Sequence, residues 1–189
     1  MHKELVIAGF GGQGIAFMGE LLATAGMIEG HHVVWNPSYG PEMRGGESNC
    51  TVILSSDPIG SPVVSQPGAA VIMDQPSLGK FAPKVRPSGT LFVNSSLVRE
   101  PSPRHDLQVI AVPATVLAEE LGSAHVANVV MLGAVLEVEP MVAAESVIKA
   151  LPKVMAARRH GLIPLNEQAL RRGAESVRSA AASPTAARG

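Results

Sequence analysis

The hydrophobic pattern changes period along the chain, and each change marks an element. "ELVIAGF" (Glu4–Phe10) is a nearly unbroken apolar run that ends at glycine and phenylalanine. A strand of a parallel sheet, buried on both faces, has this pattern. From Gly14 to Glu29 the period becomes helical: Ile15, Met18, Leu22, Ala25 and Ile28 share one face, and Gly30 supplies the stop. Further short apolar segments, bounded by Gly, Pro and Ser, predict strands at His31–Trp35, Cys50–Ser55, Ala69–Met73, Leu91–Asn94 and Leu107–Ala111.

After Pro113 the pattern turns helical. "ATVLAEELG" predicts a short helix ending at Gly122, and "NVVMLGAVLEV" (128–138) is apolar nearly all round, as a buried helix is. "AAESVIKAL" and "KVMAARRH" flank Pro152, which is expected to break or restart the helix there because proline lacks the N–H donor and crowds the preceding turn. Asn166 is expected to cap the helix "EQALRRGAESVRSA". Strands interleaved with a helix, then a helical C-terminal third, predict a single α/β domain over residues 1–178 with a mostly parallel central sheet. The small, polar residues 179–189 predict a mobile tail.

Composition narrows the function. The 189 residues suit one domain. Charged residues are 16% of the chain and aromatic residues 3%, so the core is built from aliphatic side chains and the weakly charged surface suggests cover by a partner. A formal net charge of -1 argues against nucleic acid or anionic membrane as partner. The single cysteine excludes an internal disulfide, and this chain alone lacks the roughly four thiolates of an iron–sulfur cluster. No run approaches the ~20 apolar residues of a membrane span, so a cytoplasmic location is expected.

Two loops carry candidate chemistry. Gly9-x-Gly11-x-x-Gly14, with Gly12 and Gln13 between, lies between a strand and a helix, the context of a phosphate-binding turn. Gly11, Gly12 and Gly14 are expected to offer backbone amides. An NAD site would add an acid about 20 residues on, at the tip of the second strand, and "WNPSYG" has none. The glycines therefore fit either strand–helix packing or a phosphate of a cofactor or acyl carrier. The second loop, "SYGPEMRGG", packs Tyr39, Gly40, Pro41, Glu42, Met43, Arg44, Gly45 and Gly46 between two strands. Its prolines stiffen it, its glycines permit unusual turns, and Tyr39 and Arg44 are recognition groups. Alternatively Arg44 pairs on the surface with Glu42 or Glu47. The two loops are expected to share one edge of the sheet.

"GFGGQGI", "SYGPEMRGGESNCTVILSSDPIGSPVV", "MDQPSL", "NVVMLGA" and "LNEQALRRG", in this order from about Lys3 to Gly173, resemble the gamma subunit of 2-oxoacid:ferredoxin oxidoreductases. The form "RGG-x-x-NC-x-VI" followed by "IGSPVV" is most similar to the 2-oxoglutarate branch. The resemblance implies a Rossmann-like fold and a hetero-oligomer in which alpha, beta and ferredoxin-like delta subunits are the partners. Such a complex turns a 2-oxoacid, coenzyme A and oxidised ferredoxin into acyl-CoA, carbon dioxide and reduced ferredoxin. Thiamine diphosphate, magnesium and iron–sulfur clusters belong to the other subunits, so this chain is expected to bind none of them, to hold no catalytic or metal-ligating residue, and to be inactive alone. Residues 39–46 are then expected at the subunit interface or near coenzyme A. The alternatives are a pyruvate or branched-chain 2-oxoacid enzyme, or a nucleotide- or CoA-binding module. The isolated chain could form a homodimer.

Overall fold

The computed structural model describes residues 1–38 and 46–182. Six strands form one sheet in the order β2-β3-β1-β4-β5-β6. They are β1 (His2–Phe10), β2 (His32–Pro37), β3 (Glu47–Ser55), β4 (Ala69–Ile72), β5 (Thr90–Asn94) and β6 (Gln108–Val112). β1, β4, β5 and β6 pair in parallel, whereas β3 runs antiparallel to both β1 and β2. The expected mostly parallel sheet is therefore present, with one reversed strand. The segment between β2 and β3 is too short for the crossover that parallel neighbours need.

The strands start and end where pairing, rather than hydrophobicity, puts them. β3 begins at Glu47, three residues before the expected Cys50, because Phe10 pairs with Glu47 and Gly9 with Ser48. The ladder with β1 draws polar residues into the strand. β2 is shifted to His32–Pro37 for the same reason, with Pro37 opposite Cys50.

Among the described residues six α-helices cover the sheet: α1 (Ile15–Ile28), α2 (Gln75–Phe81), α3 (Ala114–Glu120), α4 (Ala127–Val138), α5 (Ala144–Val154) and α6 (Ile163–Ala182). Alternation along the strands divides the core in two. Leu5, Ile7, Val52, Leu54 and Phe92 pack with α1, α3, α4, α5 and α6. Val6, Ala8, Ile72, Leu91 and Val93 pack on the other face with Leu78 and Phe81 of α2. α4 is buried on nearly every side, as its sequence predicts.

Three helical expectations are corrected. α5 runs through Pro152 and ends at Val154. The proline sits in the last turn, where the lost N–H removes a single bond and the helix stops soon after. α6 starts at Ile163, so Asn166 is not its cap; it is buried in the first turn and its Nδ2 donates to the Leu162 carbonyl at 2.8 Å. α6 also continues to Ala182, into the segment read as tail. α2 is an addition. Its signal is Asp74, whose carboxylate accepts the Ser77 N–H at 3.1 Å, followed by Pro76 in the first turn.

Candidate functional site

The chain leaves β1 toward α1 and β2, and leaves β4 toward α2 and β5. These connections diverge on the two sides of the β1–β4 pair. A crevice opens between such strands at their C-terminal ends, and in open α/β sheets ligands bind there. A cleft of about 250 Å³ lies at this point. Phe10, Gly12 and Gln13 come from the β1–α1 turn, Met73 from the end of β4, and Leu97 and Thr115 from the far side. Ala124, His125 and Ala127, on the approach to α4, complete the wall. A larger groove of about 500 Å³ lies between α4, α5 and α6, and among the described residues the glycine turn contributes nothing to its lining.

The turn is tightly held. Gly12 and Gly14 have φ of +102° and +72°, which glycine adopts without the clash a Cβ brings. Gly12 faces open space, whereas a Cβ on Gly14 would meet the Asn128 amide at 2.2 Å. The Gln13 side chain folds back, its Oε1 accepting the Phe10 N–H at 2.9 Å and its Nε2 donating to the Met73 carbonyl at 3.1 Å. Gly9 makes room for it: a Cβ there would lie 2.3 Å from Gln13 Oε1. Asn128 Nδ2, from the first turn of α4, donates to the Gly14 carbonyl at 3.1 Å.

The Gly11 amide is not free for a ligand. It donates to the Gly46 carbonyl at 2.8 Å, one step beyond the Phe10–Glu47 pair that ends the antiparallel ladder. This corrects the expectation for Gly11; of the turn's glycines, Gly12 lines the cleft. The same bond places Gly46, the last residue of "SYGPEMRGG", against the glycine turn. Tyr39, Gly40, Pro41, Glu42, Met43, Arg44 and Gly45 lie outside the described residues. The carboxylate of Glu47, weighed above as a partner for Arg44, lies 2.6 Å from Lys80 Nζ of α2.

Asn128 is the residue that the sequence reading missed at this site. Its signal is an amide opening a helix that is otherwise apolar as far as Leu136, at 3% exposure. Buried polar groups need partners, and the partner here is the turn. Asn94 is fully buried at the end of β5, and its Nδ2 donates to Thr115 Oγ1 at 3.0 Å, which orients a cleft-wall residue.

Cys50 is buried on β3, and burial pushes its thiol up to about 12 against smaller opposing contacts from Trp35 and Gly19. A protonated, enclosed thiol is a poor nucleophile or metal ligand. Among the described residues, no three His, Cys, Asp or Glu side chains gather as a metal site, and no helix is long and apolar enough to cross a membrane.

Comparison with known proteins places this fold. The family described as pyruvate ferredoxin/flavodoxin oxidoreductase matches residues 4–176. Ketoisovalerate oxidoreductase subunit VorA of Methanothermobacter marburgensis is 38% identical over 172 residues, covering 91% of this chain and 36% of VorA. The chain thus spans about a third of that relative. The 2-oxoglutarate synthase subunit KorC of Methanocaldococcus jannaschii is 37% identical over 154 residues, covering 80% of this chain and 82% of KorC. The crystal structure of a keto/oxoacid ferredoxin oxidoreductase gamma subunit from Geobacter sulfurreducens superimposes with a TM-score of 0.81 at 30% identity, over 94% of this chain and 99% of that one. The chain belongs to the pyruvate ferredoxin/flavodoxin oxidoreductase family and has the fold of its gamma subunits.

Proposed function

We propose that this chain is the gamma subunit of a thiamine-diphosphate-dependent 2-oxoacid:ferredoxin oxidoreductase acting on 2-oxoglutarate. The observation that carries the substrate choice is the match to KorC, which runs through about four fifths of both chains. The match to VorA favours a second reading, a branched-chain 2-oxoacid.

The residues support a division of labour among subunits. Iron–sulfur clusters need several thiolates, and the one cysteine here is enclosed and protonated. Thiamine diphosphate and its magnesium ion need a diphosphate-binding acidic loop, and the described residues hold no such cluster. This reading assigns these groups to alpha, beta and delta partners. The part left to this chain is the cleft edge. There the diphosphate of coenzyme A meets the amides of Gly12, Gly14 and the first turn of α1, with Gly46 beside the turn. Opposed dipole and unpaired donors at a helix start favour such an anion.

The test is reconstitution of the complex in the cytoplasmic fraction of the source cells or from purified subunits. Viologen reduction that depends on coenzyme A is measured with 2-oxoglutarate, 2-oxoisovalerate and pyruvate. A higher kcat/KM for 2-oxoglutarate supports the first reading. Preference for 2-oxoisovalerate moves the assignment to the second. Equal, absent activity with all three overturns both.

A further inference from the structure

Two carboxamides from opposite ends of the chain close on the same glycine turn. Gln13 spans the crevice from β1 to β4, accepting the Phe10 N–H and donating to the Met73 carbonyl. Asn128 grips the other side of the turn, at the Gly14 carbonyl. That carbonyl also accepts the first helical bond of α1, from the Met18 N–H at 3.0 Å. Asn128 therefore fixes the residue from which α1 starts, and Gln13 fixes the strand end that precedes it.

The arrangement asks for a reason beyond stability. Both side chains bond backbone groups of the turn and of the strand end beside it, so what they fix is the shape of this one segment. Both faces of the sheet show that this chain builds apolar cores readily. Yet the turn has glycine at four of the six positions from 9 to 14, and glycine-rich backbone loses more freedom on ordering than any other. An unclamped turn would be ordered only when a ligand arrives, and apparent affinity falls by the fraction of time the binding shape is absent.

We infer that Gln13 and Asn128 are positioning residues for the ligand at the cleft edge: they hold the turn in its binding shape before the ligand arrives. Neither touches reacting atoms. The inference rests on the reading above, in which coenzyme A meets this turn. Affinity for coenzyme A then depends on both side chains, whereas turnover of the bound complex does not. Both groups are neutral, so the clamp adds no charge beside a phosphate.

The experiment uses the assembled complex carrying Gln13→Met, which keeps the length of the side chain and loses both hydrogen bonds, and separately Asn128→Leu, which nearly keeps the shape, stays neutral and cannot donate to the Gly14 carbonyl. The expected result is a KM for coenzyme A raised about tenfold, one decade of affinity, with kcat and the KM for the 2-oxoacid within about twofold. Amide hydrogen exchange supplies a readout independent of turnover. Without coenzyme A, amides 11–16 should exchange faster in the variants than in the wild type. A substitution at buried Asn128 can also unfold the chain; in that case half-buried Gln13→Met carries the test alone. If coenzyme A protects these amides in the wild type while Gln13→Met leaves both KM and exchange unchanged, the positioning role is overturned and the coenzyme A reading stands. If coenzyme A leaves amides 11–16 of the wild type unprotected, the coenzyme A reading falls and the inference with it.

Discussion

Glu139, at the end of α4, shows how a single side chain can join three elements at the edge of the sheet opposite the cleft. Its Oε2 lies 2.6 Å from Lys3 Nζ of β1, and its Oε1 accepts from Thr90 Oγ1 of β5 at 3.0 Å. Burial alone pushes this carboxyl up, but Lys3 and Thr90, with Arg86 farther off, hold it below the usual Glu value. A depressed folded pKa stabilises the protein above the unfolded pKa, about 4.3 for Glu. That stability is lost as pH falls through the lower folded value. Glu139→Gln should therefore lower the melting temperature by about 2–4 °C at neutral pH, for roughly 1 kcal/mol. Near pH 3 the difference should shrink toward zero. A constant difference across that range would show that charge is not what Glu139 contributes.

Arg44 belongs to the same scale. The alternatives for it differ in size: a surface ion pair contributes ~0–1 kcal/mol, whereas losing a buried charge contact across an interface costs about 2–5 kcal/mol. Arg44→Ala should leave the melting temperature of the free chain nearly unchanged. It should weaken assembly, or raise the KM for coenzyme A, by about tenfold or more. Arg44→Lys should recover little, because an ammonium lacks the two-pronged geometry of guanidinium. Unfolding of the free chain with unchanged kinetics per folded molecule would make the loop a structural turn. Such residues are legible in sequence because their chemistry is local. Asn128 and Gly14 are not, since 114 residues separate them and only the folded chain joins them. Glu29 and Ala143, at the same separation, make a similar bond of 2.7 Å at the start of α5.

At the scale of elements, α4 and α6 cross with almost nothing between their backbones. A Cβ on Gly133 would lie 1.9 Å from the Leu170 carbonyl oxygen, and one on Gly173 would lie 1.8 Å from that of Val130. The two glycines face the opposite backbone reciprocally. Alanine raises helix propensity by about 1 kcal/mol over glycine, but here the backbones would have to separate. Overpacking costs about 1–3 kcal/mol and occasionally more, and the approach of 1.9 Å to a backbone oxygen puts Gly133 at the upper end. Gly133→Ala should thus lower the melting temperature by roughly 6–12 °C, measured by calorimetry on the free chain. An unchanged or raised temperature would mean that the helices part easily. The elements themselves were readable where periodicity is long, as in α1 and α4, or where strands are buried on both faces, as in β1 and β4. α2 was not, because seven residues with glycine, lysine and proline show little period. The reversal of β3 was not, because alternation along a strand carries no direction. Pro152 misled because its effect depends on where it falls in a turn, and a last turn tolerates it.

For the whole molecule, the separation of folding from catalysis is the main expectation. Both faces of the sheet carry their own cluster of enclosed aliphatic side chains, so the chain has what a domain needs to fold. Its thiol is sealed and its described acids are dispersed or paired. The purified chain should therefore melt cooperatively and yet give no coenzyme A-dependent reduction of viologen until partner subunits are added. Turnover by the purified chain alone would refute the division of labour proposed for it.

The reversed strand has one more consequence, for the order of folding. Chain closure is easiest between segments near in sequence. β2 and β3 are joined by the shortest connection in the sheet, and their ladder closes first at Pro37 and Cys50. β1 joins by returning to β3 from the far side of α1, and β4, with β5 on its other edge, is linked to this ribbon only through β1. Refolding should then nucleate on the β2–β3 ribbon and spread one way, toward β6. In pulse-labelling during refolding, the amides of Val52 and Leu54 should gain protection before those of Phe92 and Val112.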